Sequence, residues 1–111
     1  KQAGDIGDLV LKDRELLGEN GIVIVTTTLD RNTKKVLAGP EILTRGFIYV
    51  KDNTDLIEEA SKLSLEVINS FINPNYVDFN KIKLGIREKL GKYFYQQTGS
   101  KPMIIIVVQE V

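Results

Sequence analysis

Ile22-Val23-Ile24-Val25-Thr26-Thr27-Thr28-Leu29 is the stretch that decides the fold. Every position but the last is β-branched. Such side chains are stiff at χ1 and pack well on a pleated surface, so the segment is a predicted strand. Asp30-Arg31-Asn32-Thr33 supplies turn chemistry. Lys35-Val36-Leu37-Ala38 then returns as the partner strand of a hairpin. Gly39-Pro40 interrupts it: proline has no N–H to give a ladder, so the pairing ends or bulges there. Ile42 and Leu43 are apolar, Thr44-Arg45-Gly46 reads as a second bend, and Phe47 to Val50 as a short extended piece.

Downstream, the apolar period changes from strand to helix. Leu56, Ala60, Leu63, Val67 and Phe71 recur at spacings of four and three, widened by Ile57, Ile68 and Ile72. The spacing predicts a helix from Leu56 to Ile72, capped by Asn53 or Thr54, with Asp55, Glu58 and Glu59 in its positive first turn. Asn73-Pro74-Asn75 ends it. A second helix is predicted from Phe79 to Tyr95 behind an Asp78 cap, with Phe79, Ile82, Ile86, Leu90, Tyr93 and Phe94 on its apolar face. Gly85 and Gly91 weaken it by about 1 kcal/mol each relative to alanine, a cost that close packing would explain. Gly99 closes the helical region, and Met103 to Val108 is the last strand.

The order is ββααβ. It specifies an α+β two-layer domain: a small mixed sheet of about three strands with two helices packed on one face. Upstream, Asp5 to Gly21 reads as a connector, a short helix or ordered linker with Asp8 as cap and Gly18 as stop. The chain divides into a linker over residues 1–20 and a folded domain over 21–111.

Neither Ile22–Val25 nor Met103–Val108 alternates apolar with polar residues, so both faces of each strand should be covered. Two helices cover only one. The other face has to meet the linker, the rest of a parent chain or a second copy. The plainer reading is that Ile and Val dominate short strands whose outer face is partly wet; the interface reading is favoured. Self-association is expected through Ile22, Ile24, Thr26, Thr28, Ile104, Ile106 and Val108.

Composition narrows the chemistry. The 111 residues contain no His and no Cys. That excludes a Cys/His metal site and any nucleophile that depends on either. Carboxylates are plentiful, but Asp13 with Glu15 and Glu58 with Glu59 lie in surface-like stretches rather than in a recommended acid/base pair. Ser61, Ser64 and Ser70 have no His partner. The chain starts at Lys1 and its only Met is Met103, so it is expected to be a processed product or a piece of something longer. No signal-peptide pattern opens it, its longest apolar run is too short to cross a bilayer, and a cytoplasmic setting is the default.

The formal net charge is zero, with 15 Lys+Arg against 15 Asp+Glu. It is a cancellation. Asp52 to Asp78 carries six acids and one base, net −5; Phe79 to Pro102 carries six bases and one acid, net +5. Two helices could pair their rims, or the basic one could face phosphate. The candidate RNA contacts are Arg45, Lys81, Lys83, Arg87, Lys89 and Lys92. The helical positions do not line them up as one basic stripe, and a solvated rim is the favoured reading.

Three segments resemble a known family. Gly4-Asp5-Ile6-Gly7-Asp8-Leu9-Val10-Leu11-Lys12-Asp13-Arg14 resembles the connector that follows the catalytic part of ribonuclease J. Gly39-Pro40-Glu41-Ile42-Leu43-Thr44-Arg45-Gly46-Phe47-Ile48-Tyr49-Val50 is similar to that family's Gly-Pro…Arg-Gly-Phe segment, although Ala38 and Thr44 stand where Ser is common. Lys101-Pro102-Met103 through Glu110-Val111 resembles its close. The resemblance implies a parent with a metallo-β-lactamase domain, an inserted β-CASP domain, a linker and this C-terminal domain. Such a parent cuts RNA internally and degrades it from the 5′ end with a zinc pair, held by His and Asp residues of the other domains. No cofactor is expected in this chain, which would be a non-catalytic part. The implied role is assembly of the parent as a homodimer or tetramer, or as a heteromer with a paralogue. The implied contacts are the catalytic domains, RNA through the parent, and no membrane. The alternative is an RNA-binding module using the basic helix to guide substrate.

Overall fold

The computed structural model describes residues 20–47, 54–73 and 75–111. Strands β1 (Ile22–Leu29) and β2 (Val36–Arg45) are followed by helices α1 (Thr54–Ser70) and α2 (Phe79–Thr98) and by strand β3 (Met103–Glu110). The sheet order is β2-β1-β3, with β1 antiparallel to β2 and parallel to β3. This is the expected mixed three-stranded sheet in the order ββααβ. The predicted linker, with its Asp8 cap and Gly18 stop, lies outside the described residues apart from Asn20, as do Ile48 to Val50.

Local chemistry explains the element ends. The Asp30 carboxylate closes the hairpin, its Oδ1 accepting from the Asn32 and Thr33 N–H groups at 2.8 Å each. The Asp78 carboxylate accepts from the Lys81 N–H at 3.1 Å and caps α2. Gly99, left-handed at φ 76°, ends that helix by donating its N–H to the Tyr95 carbonyl at 2.8 Å. The helix therefore runs three residues past its predicted end at Tyr95, because polar Gln96, Gln97 and Thr98 break the apolar period without breaking the backbone ladder.

β2 differs from expectation more. It is one strand of ten residues, not a short return followed by bends. The Gly39-Pro40 interruption is absorbed by register shifts opposite Thr26, Thr28 and Leu29. The Thr27 hydroxyl donates to the Ala38 carbonyl at 3.0 Å across this irregularity, and the Ser61 hydroxyl of α1 donates to the Pro40 carbonyl at 2.7 Å. The orphaned groups of the bulge are thus partly satisfied by side chains.

The core lies between the sheet and the two helices. Val23, Val25 and Leu29 face Ile68, Ile82, Ile86, Leu90 and Phe94, all fully buried. Phe47 closes one end, its ring edge-on to Phe94 with centroids 5.2 Å apart. Helix α1 packs over β2, α2 packs over β3, and the helices pack on each other. No element among the described residues packs on the opposite face of the sheet.

Candidate functional site: an open sheet face, a free edge and a basic helix

Pairing register assigns the paired strand residues to faces. The rungs Val23–Ile104 and Val25–Ile106 point to the helices. The alternate rungs, Ile22–Met103, Ile24–Ile105, Thr26–Val107 and Thr28–Gln109, point away. β2 extends them with Arg45 beside Ile22, Leu43 beside Ile24 and Glu41 beside Thr26. One rung, Leu43–Ile24–Ile105, is therefore apolar across all three strands. Leu43 is 57% exposed and Val107 39%; Ile24, Met103 and Ile105 are half-buried. Polar groups rim the patch: Arg45, Glu41, Thr28 and Gln109.

Three of the seven residues expected on the open face do not lie there. Ile22, Ile24, Thr26 and Thr28 stand together on the open face, although Ile22 itself is buried. Ile104, Ile106 and Val108 do not join them: all three point to the helices, with Ile104 and Ile106 in the core. In β3 the residues on the open face are Met103, Ile105 and Val107. A run without alternation carries no sign of which parity faces inward; only the pairing Val23–Ile104 fixes it.

The predicted RNA contacts are also dispersed. Arg45 lies at the end of β2, on the open-face side. Lys83 and Arg87 flank β3, where the Arg87 Nε donates to the Ile104 carbonyl at 3.4 Å. Lys89 and Lys92 line the other side of α2, in a cleft shared with Glu59, Leu63, Glu88 and Tyr93. There burial holds the Tyr93 phenol above its ordinary range, and the Glu59 and Asp55 carboxylates reinforce the shift. All five cations of the helix are exposed. Among the described residues the one ion pair is Arg31–Glu110 at 3.8 Å, so the acidic and basic helices do not pair their rims.

Among the described residues no group of acids could hold a metal ion, and the whole chain offers neither His nor Cys. A zinc pair does not fit the described residues. No helix of the described residues is long and apolar enough to cross a membrane.

These features define a class: a two-layer α+β domain that offers an apolar sheet surface and a basic helix rather than a cleft lined with reactive groups. Comparison with known proteins makes the class specific. Residues 9–111 match the family model described as the ribonuclease J C-terminal domain, and the chain belongs to that family. It is 42% identical over 108 residues to ribonuclease J2 of Bacillus subtilis (strain 168), covering 97% of this chain and 20% of that protein. It is 39% identical over 108 residues to ribonuclease J 2 of Staphylococcus aureus (strain NCTC 8325 / PS 47), covering 97% of this chain and 19% of that protein. The chain thus spans about a fifth of the length of these relatives. The match begins at residue 9, inside the stretch read as linker.

Proposed function

We propose that this chain is the non-catalytic assembly domain of a cytoplasmic ribonuclease J enzyme. In this reading the parent cleaves RNA with its other domains, which hold the zinc pair that these residues do not fit, and this domain joins copies or paralogues of the parent. The observation that carries the reading is the apolar rung Leu43–Ile24–Ile105 on a sheet face that no described element covers. A water-facing sheet normally alternates apolar-in with polar-out, and a contiguous apolar patch with a polar rim marks an interface. Sedimentation of the chain tests it. Self-association at tens of micromolar is expected, and Ile105→Glu, which puts a charge at the patch centre without entering the core, is expected to weaken it. A wild-type chain that stays monomeric overturns it.

The RNA-guiding reading draws on the five exposed, unpaired cations of α2. Their separation onto two sides of the helix weighs against a single phosphate track. RNA binding that falls steeply with added salt would favour it, because phosphate contacts release counterions.

A further inference from the structure

The flank of the β3 edge is basic. Lys83, Arg87 and Gly91, at successive turns of α2, wall a groove of about 580 Å3 along Met103 to Ile106. Both cations are exposed, and neither has an acid three or four residues away on its own helix. The strand offers them none: Met103 to Val108 is uncharged, and the Glu110 carboxylate is paired with Arg31. The strand's outer backbone is open as well. Met103 donates its N–H to the Gly21 carbonyl and Val111 to the Leu29 carbonyl, both at 3.0 Å, so the odd-numbered residues of β3 face β1. The intervening residues of a parallel strand turn their N–H and C=O groups the other way. The Ile104 carbonyl is accordingly met from outside by the Arg87 Nε, at 3.4 Å. Those of Ile106 and Val108 lie on the same side, where no described strand pairs with them.

The cations are spaced to match a strand. The chain reverses between α2 and β3, so one turn back along the helix is a step forward along the strand. Four helical residues rise about 6 Å and two strand residues about 6.6 Å, so one cation stands beside every second residue of the edge. Arg87 is held at Ile104 by its Nε, which leaves its terminal Nη groups for another partner, and Lys83 stands one turn on, toward Ile106.

We infer that the β3 edge takes up an extended acidic peptide of another protein as a fourth strand. The peptide runs antiparallel, the arrangement with the more stable ladder, and exchanges about four backbone hydrogen bonds with Ile106 and Val108. The ladder ends at Ile104, whose carbonyl stays with Arg87. Residues directly opposite on paired strands share a face. Peptide carboxylates opposite Ile104 and Ile106 therefore rise on the helix side and meet Arg87 and Lys83. The residues between them fall on the open face, beside Ile105 and Val107, and widen its apolar patch. Backbone pairing supplies the affinity, and the alternation of acid with apolar residue supplies the specificity. A second copy of this chain does not meet the requirement, because each of its edge strands carries a single carboxylate, Glu41 or Glu110. The contact does not depend on the assembly reading above.

The probe is a short fluorescent peptide alternating Glu with Val, followed by anisotropy as the full chain is added. Saturable binding is expected. Lys83→Glu with Arg87→Glu, its folding checked by circular dichroism, should weaken binding by at least about tenfold. A peptide with Lys in place of Glu should bind that double variant better than it binds the wild type. N-methylation of the peptide amides that face Ile106 and Val108 should abolish binding with every charge in place. No saturable binding, equal binding by a peptide with its Glu and Val residues in separate blocks, or undiminished binding after N-methylation overturns the proposal. So does a short RNA that binds through Lys83 and Arg87 while the peptide does not, since the cations then serve phosphate. A chain that takes up the peptide yet sediments as a monomer keeps this inference and loses only the assembly reading.

Discussion

The two glycines of α2 should answer oppositely to the same substitution. Gly→Ala in a helix interior gains about 1 kcal/mol, by removing backbone freedom from the unfolded chain and shielding the helix backbone. At Gly91 nothing opposes that gain: an added Cβ meets only the Ile104 Cδ1, at 4.0 Å, an ordinary contact. At Gly85 the added Cβ falls 2.7 Å from the Val67 Cγ1 and 3.4 Å from the Phe71 Cε2. Val67 is β-branched, 8% exposed and set in α1, so its methyl cannot swing away without changing rotamer or moving the helix. Overpacking of this kind costs about 1–3 kcal/mol. Gly91→Ala should therefore stabilise the domain by about 0.5–1 kcal/mol, while Gly85→Ala should lie between neutral and about 2 kcal/mol destabilising. For a domain of this size, 1 kcal/mol moves the midpoint by roughly 4–8 °C, so thermal melts followed by circular dichroism resolve the two. They should be run at one fixed protein concentration, because self-association would make the midpoint concentration-dependent. Adding Val67→Ala to Gly85→Ala should return much of the clash cost, a non-additive result that only direct contact produces. Equal stabilisation by both alanines would refute the helix–helix contact at Gly85.

Phe94→Ala removes a fully buried ring and its edge-on contact with Phe47, and should cost about 3–5 kcal/mol in urea unfolding, enough to leave a domain of ordinary stability marginal; a loss below about 1 kcal/mol would place that ring outside the core. Asp30 gives a pH signature. The Thr33 and then the Asn32 backbone N–H groups stabilise its charged form and hold its pKa below the ordinary 3.8. A folded-state pKa that is depressed contributes stability above 3.8 and loses it as pH falls through the lower folded value. Asp30→Asn keeps the turn acceptor and removes the titration. The wild type's advantage over it should therefore be present at neutral pH and shrink on acidification, and a gap that widens below pH 3.8 contradicts the assignment.

Local chemistry was legible in the residues wherever one signal dominated. The β-branched run Ile22–Leu29 became the central strand with the predicted limits. Asp78 and Gly99 bound α2 by side-chain capping and a left-handed turn, both of which short sequence patterns reveal. Helix α1 begins at Thr54, two residues before the apolar stripe opens at Leu56, and ends at Ser70 rather than Ile72; the cap candidate Asn53 lies outside the described residues. Legibility ended where distant pairing decides. Pro40 reads as a break, yet the strand continues because register shifts and the Thr27 and Ser61 hydroxyls accommodate it. The parity of β3 was illegible for the same reason. Ile104 and Ile105 are chemically identical neighbours, and only the partner strand decides which one joins the core and which faces outward. The candidate site inherits that limit: Ile24 was readable as facing away from the helices, while Leu43 and Ile105, which complete its rung, were not.

The parallel pairing of β1 with β3 also has a consequence in time. Ile22 pairs with Met103, the first strand with the last, while β2 reaches β1 across a short turn. During synthesis the residues of the hairpin and of both helices are made before those of β3. Through that interval the other margin of β1 has no neighbour, and Val23 and Val25 lack the Ile104 and Ile106 that finish their layer. Closing so long a loop is entropically slow, and an apolar strand waiting beside it is open to the wrong neighbour. β3 is thus the latch of the sheet: until it pairs, one margin of β1 stays open to the wrong neighbour.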